Sequence, residues 1–277
     1  MHNLFMQLLN MSITASYVIV FIILARLLLK KAPKIFSYVL WSAALFRLII
    51  PFSFESIFSL IPASTETVPN EIMYSQAPAV NSEVTVVGQA VNNSLPLPGV
   101  AASANAVQIW FTLGEVLWVI GLVVLLSYSI FTAVKLYFKL KSARPIFDNV
   151  YEMSGIKTPF IFGIIRPKIY LPLGILEKER AYLVKHEQTH INRFDHIIKP
   201  LAFLVVCLHW FNPLVWIAFF LMSKDMEMSC DESVIKQMGS AIKKDYSTSL
   251  LSLSAGRRII GGCPLAFGED NTKGRII

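Results

Sequence analysis

The sequence predicts a membrane protein: α-helical anchors carrying a mixed α+β domain with a metal site on the cytoplasmic side. Three observations lead there. Of 277 residues, 55% are apolar and only 16% charged, and the apolar residues gather in long runs rather than spreading as they do in soluble domains. Lys and Arg cluster after the apolar runs and are absent from Ala63 to Gln108. Finally, His186, Glu187 and His190 have the spacing H-E-x-x-H, with acidic residues following at Glu227 and Asp231.

The first apolar run, Leu4 to Leu29, is long enough as a helix to cross about 30 Å of hydrocarbon. It has no basic start and no A-x-A-like cleavage site, so it reads as an uncleaved anchor. Arg26, Lys30, Lys31 and Lys34 follow, then a second span from Ile35 to about Phe54. Residues 1–62 thus hold two transmembrane helices, and 63–108 form a loop rich in Pro, Asn, Ser and Val. A third span covers 109–134 and leads into Lys135, Lys139, Lys141 and Arg144. By the positive-inside rule the N-terminus and the 63–108 loop are extracellular, and residues 135–277 begin in the cytoplasm. The serines of that loop (Ser64, Ser75, Ser82, Ser94 and Ser103) share it with no lysine that could activate one, so no serine acylation site is expected there. Arg47, inside the second span, needs either a partner, for which Glu115 lies at similar depth, or a route for its head to the lipid headgroups.

The net charge of +7 is used up in this topology. No nucleic-acid motif accompanies it, so no direct nucleic-acid binding is expected. The three cysteines, Cys207, Cys230 and Cys263, are scattered and odd in number. They suggest free thiols on a reducing side, not a disulfide framework.

From Asp148 the pattern changes. Thr158–Gly163 and Lys168–Pro172 are short β-prone runs separated by Gly163 and Arg166-Pro167, and they predict a strand pair ahead of the next helix. In that helix Leu183, His186, Glu187, His190, Ile191 and Phe194 form one stripe, with Glu177, Glu179, Arg180 and Lys185 mostly off it. Two imidazoles one turn apart can grip one metal ion. Glu187, beside the first, can take a proton from water without binding the metal. If Asp225–Glu232 is helical, Glu227 and Asp231 share a face at i,i+4 while Glu232 turns away. Glu227 can then be the third ligand and Asp231 can orient an imidazole. The plainer alternative is a solvated acidic helix start.

The ligands also constrain residues 197–222, which are apolar enough to span but are divided by His209-Trp-Phe-Asn-Pro213. A crossing would strand Glu227 on the far side from His186 and His190. The stretch must therefore be a helical hairpin, either re-entrant or packed on the domain. His209 suits a polar turn better than a metal ligand, and His196 suits a place behind the ligands or at the surface. An amphipathic helix is expected after Glu232, to about Ser254.

H-E-Q-T-H-I-N-R-F-D (186–195), F-N-P-L-V-W (211–216) and E-M-S-C-D-E-S-V (227–234) resemble the M56 family of bacterial membrane metallopeptidases, of the BlaR/MecR type. So do Thr158–Pro172 and Leu40–Pro51. Asn192 departs from the apolar residue common at that place in zinc peptidases. The resemblance implies membrane anchors plus a cytoplasmic α+β gluzincin-like zinc metallopeptidase domain. His186, His190 and Glu227 would bind Zn²⁺, Glu187 would be the general base, and Asp231 and Asp195 would support the ligands. It also implies signal transduction by cleavage of a cytoplasmic protein, a transcriptional repressor or the chain itself, at the bacterial cell membrane; a homodimer is one candidate assembly, with the oligomeric state left open by the sequence. An M48-like quality-control protease and a non-proteolytic transducer with a structural metal are the alternatives.

Overall fold

A computed structural model describes residues 2–51, 106–156 and 158–239. The expected extracellular loop, the end of the second span and everything after Gly239, including the expected helix to Ser254, lie outside these residues. The described chain is mostly helical, with one small sheet, and divides into two compact units.

Unit 1 takes in residues up to Leu27, Leu40–Val124 and Val205–Ala218. Helix α1 (His2–Leu28) passes through a 3₁₀ turn (Leu29–Lys31) to α2 (Lys34–Ile49), and α3 is Ala106–Leu140. Neither α1 nor the apolar stretch of α3 contains proline, so nothing interrupts their backbone ladders. At 27 and 35 residues they reach about 40 and 52 Å. Their apolar side chains point outward, as with Phe21, Leu24, Trp110 and Phe131. Long helices that stay apolar where they face outward are suited to lipid. Asn3–Lys31 and Gln108–Leu140 have the length and composition to cross a membrane. Helix α2 ends sooner than the sequence suggests, at Ile49, because Pro51 disfavours helix in the residue before it.

The hairpin stretch forms two helices, α5 (Asp195–Leu208) and α6 (Pro213–Met238). Phe203 and Phe219 pack across it at 5.9 Å. Asn212 starts α6: its Oδ1 accepts the Leu214 N–H at 2.9 Å, with Pro213 in the first helical position. Within unit 1 the turn is held by polar contacts. The Asn212 amide donates to the hydroxyls of Ser12 and Ser16, both at 2.8 Å. Trp210 Nε1 donates to the Trp118 carbonyl at 3.2 Å, and His209 Nε2 to the Leu48 carbonyl at 3.1 Å. His209 is fully buried, and its place is that of a turn residue. Gly121 lets the Trp210 ring approach; a Cβ there would lie 2.3 Å from it.

Unit 2 takes in Leu28–Val39, Leu125–Leu204 and the chain from Phe219. Its sheet has the order β1-β2-β4-β3, from β1 (Arg144–Phe147), β2 (Val150–Met153), β3 (Phe160–Phe162) and β4 (Lys168–Pro172). The expected strand pair is β3–β4, antiparallel, with Phe160 opposite Tyr170. Gly163, at φ 113°, permits their connection: a Cβ there would meet the Arg166 carbonyl at 2.7 Å. β1 and β2, which the sequence reading missed, add an antiparallel hairpin, and β2 runs parallel to β4. One core joins the end of α3 to the sheet through Leu136, Leu140, Met153, Phe160 and Tyr170. A second packs Val150, Ile161, Ile169 and Leu171 against Leu183 of α4 (Glu177–Asn192). Arg180 adds an ion pair to Glu152 of β2 at 3.7 Å.

Candidate metal centre

Helix α4 opens with Glu177 and Glu179 in its first turn, where carboxylates oppose the positive helix end. Its apolar face packs on the sheet through Leu183. The same face carries His186, Glu187 and His190, at 2%, 5% and 2% exposure. The expected stripe stops at Ile191. Phe194 lies outside the helix, exposed, with a left-handed φ of 60°, a strained state for a bulky side chain. That bend ends α4 and starts α5, and it returns Asp195 toward His190.

Helix α6 supplies the other side. The acidic run lies inside this continuous helix, not at a helix start. Glu227, Cys230 and Asp231, spaced i, i+3 and i+4, meet the histidines together. Glu227 Oε2 lies 3.6 Å from His186 Nε2 and 3.6 Å from His190 Nε2. The two Nε2 atoms are 3.2 Å apart.

The remaining ring nitrogens face carboxylates. His190 Nδ1 is 2.8 Å from Asp195 Oδ2, with Asp195 wholly buried, and His186 Nδ1 is 3.3 Å from Asp231 Oδ1. A carboxylate on Nδ1 favours the proton there and leaves the Nε2 lone pair available. Two such lone pairs and a carboxylate oxygen then face one another, which is repulsive unless a cation lies between them. The triangle of 3.2, 3.6 and 3.6 Å is close to the edge of about 3.4 Å for a tetrahedron with bonds of about 2.1 Å. The donor set fits a small divalent ion.

Cys230 is the member the sequence reading left out. Its Sγ, with one nitrogen of each histidine, forms a cluster whose atoms lie within 4.8 Å of one another. The i+3 spacing from Glu227 was the available signal. The sulfur sits 3.6 Å from His186 Nδ1, the nitrogen facing Asp231, and 3.5 Å from the His186 carbonyl. Glu227 instead approaches the converging Nε2 atoms. Burial pushes the His190 pKa down, but Cys230, Glu227 and Asp195 outweigh it and hold the imidazole well above its usual range. Burial pushes the Cys230 thiol up, and His186 and His190 more than reverse that. The carboxylates and the sulfur favour positive charge on His190, and the two imidazoles favour a negative sulfur at Cys230.

Of the other histidines, His196 is buried at the start of α5, and His209 belongs to unit 1 and takes no part in the cluster.

The sequence is similar to proteins already known. Over 105 residues the chain is 32% identical to the methicillin resistance mecR1 proteins of Staphylococcus aureus and Staphylococcus epidermidis, covering 36% of this chain and 18% of theirs. Over 162 residues it is 28% identical to the regulatory protein BlaR1 of Bacillus licheniformis, covering 50% of this chain and 27% of that one. The matched stretches are less than a third of the length of these curated relatives. The family model for BlaR1 peptidase M56 matches residues 6–277. A buried His-Glu-x-x-His helix, apolar helices fit for a membrane and that near-complete match lead to one conclusion: the chain belongs to the M56 family of BlaR1-type peptidases.

Proposed function

We propose that the protein is a membrane-anchored zinc metalloendopeptidase that cleaves a cytoplasmic protein, a transcriptional repressor or the chain itself, in response to a signal. The observation that carries this reading is the convergence of His186 Nε2, His190 Nε2 and Glu227 Oε2 beside the buried Glu187. Those three residues would hold Zn²⁺, which when bound polarises a carbonyl and acidifies water. The chain's own part is proton handling and positioning. Glu187 accepts the proton of the water whose oxygen attacks the scissile carbon. It then gives that proton to the leaving nitrogen as the C–N bond breaks. Asp231 and Asp195 keep the Nδ1 protons in place, so both imidazoles present Nε2 throughout. β3 is an edge strand near α4, and a substrate segment can add to it through main-chain hydrogen bonds.

A cytoplasmic site follows from the positive-inside rule. Lys30, Lys31 and Lys34, like Lys135, Lys139, Lys141 and Arg144, fall in the same compact unit as the metal cluster, which supports that side. The regulatory role follows the family and the regulatory and resistance proteins this chain resembles.

The second reading is a non-proteolytic transducer in which Cys230 joins His186, His190 and Glu227 to close a structural site, favoured by the sulfur's place in the cluster. Purified protein decides between them. Wild type should hold one zinc and cut a peptide library or itself; Glu187→Gln should hold zinc and cut nothing. Zinc without cleavage in wild type favours the transducer.

A further inference from the structure

We propose that Tyr38 is a positioning residue of the metal centre, acting through Asp195 on His190, so that the first turn of α2 is part of the site. This rests on the zinc-site reading above and adds a residue 157 positions upstream of Asp195.

Asp195 is fully buried, and each of its oxygens has its own partner. Oδ2 accepts from His190 Nδ1 at 2.8 Å. Oδ1 accepts from the Tyr38 hydroxyl, also at 2.8 Å. A carboxylate gripped at both oxygens cannot rotate about its own axis, so the imidazole it holds is fixed as well. Arg193 braces the pair from the side: its Nε is 3.6 Å from Oδ2, and its guanidinium carbon lies 4.9 Å from the Tyr38 ring centre.

The same turn of α2 reaches the other arm. The Lys34 backbone N–H donates to Glu232 Oε2 at 2.8 Å, and Glu232 follows Asp231, the carboxylate facing His186. Satisfying an unpaired N–H at a helix start with a carboxylate is favourable in itself. Its consequence here is that one helical turn touches Asp195, behind His190, and Glu232, the chain neighbour of the Asp231 that faces His186. Lys34 and Tyr38 are one turn apart, so a shift of α2 is felt at both together.

Replacing Tyr38 by Phe removes one oxygen and keeps the ring beneath Arg193. The test is zinc affinity of the full chain in detergent, by competition with a chromophoric chelator, together with the d–d spectrum of the cobalt-loaded protein. Tyr38→Phe should weaken zinc by about 10-fold, the lower end of the range for such supporting groups, and should shift the cobalt bands. Asp195→Asn should weaken zinc at least as much, and the double variant should match Asp195→Asn alone, because both substitutions break one chain of contacts. Phe36→Ala, on the same helix with its side chain exposed, should change neither readout. The inference is overturned if Tyr38→Phe leaves affinity and spectrum unchanged, or if the two losses multiply in the double variant. Wild type that retains no more zinc than His186→Ala would instead overturn the metal-site reading, and this inference with it.

Discussion

Two buried histidines, one in each unit, show what separates a polar anchor from a reactive site. His209 is 0% exposed and His190 2%, so burial does not distinguish them. His209 meets a backbone carbonyl, that of Leu48, in a turn also held by an indole and an amide that donates to hydroxyls. His190 meets two carboxylates and a thiol, and its Nε2 faces another imidazole. One neutral acceptor fixes a turn. Several electron-rich groups aimed at one point call for a cation.

The sharpest way to break that contrast is to remove the converging atoms. His186→Ala, His190→Ala and Glu227→Ala should each abolish zinc retention through gel filtration, measured by metal analysis, while His209→Ala retains zinc in full. Zinc lost equally from His209→Ala would show that the two units do not divide the work this way. Next in size is Glu187→Gln, where zinc stays and cleavage falls by about 10² or more; retained cleavage would remove Glu187 as the base. Asp231→Ala should weaken zinc by about 10- to 100-fold without abolishing it. If Asp231→Ala loses the metal while Glu227→Ala keeps it, their roles are exchanged. Cys230→Ser sharpens the comparison most finely. It should keep zinc with a small change in affinity, and cobalt-loaded wild type should lack the near-ultraviolet band of a thiolate ligand. A band that vanishes in Cys230→Ser would move the sulfur into the ligand set.

The site was legible in sequence wherever its logic is local. His186 and His190, and then Glu227 and Asp231, are each pairs at i,i+4, and helical spacing alone puts each pair on one face. The strand pair β3–β4 was legible because Gly163 and Pro167 punctuate it. The hairpin β1–β2 was not, since Arg144–Met153 has neither alternation nor an Asn-Gly type of turn; its connection is Asp148-Asn149, with Asp148 at φ 39°. Cys230 was passed over because a count of cysteines says nothing about the face one occupies. Tyr38 could not be found at all, because its partner lies in a distant segment and no spacing rule links them. The end of the stripe at Ile191 was also hidden. A phenylalanine in the left-handed region at 194 runs against its own preference, and only the surrounding structure holds it there.

The clasp between Asn212 and the serines of α1 bears on how the chain is assembled. The contact spans 200 residues to Ser12, so it cannot form until the chain has been made as far as Asn212. At roughly 5–20 residues per second, synthesis leaves α1 waiting about 10–40 s for that partner. During that interval a polar helix face in hydrocarbon would be costly. The chain carries a provisional arrangement for part of it: the Ser16 hydroxyl donates to the Ser12 carbonyl one turn back, at 2.8 Å, within α1 itself. An oxygen serves as acceptor for the late-arriving amide while its proton stays with its own helix. The first helix can thus be laid down early and completed late, with no bond broken when Asn212 arrives.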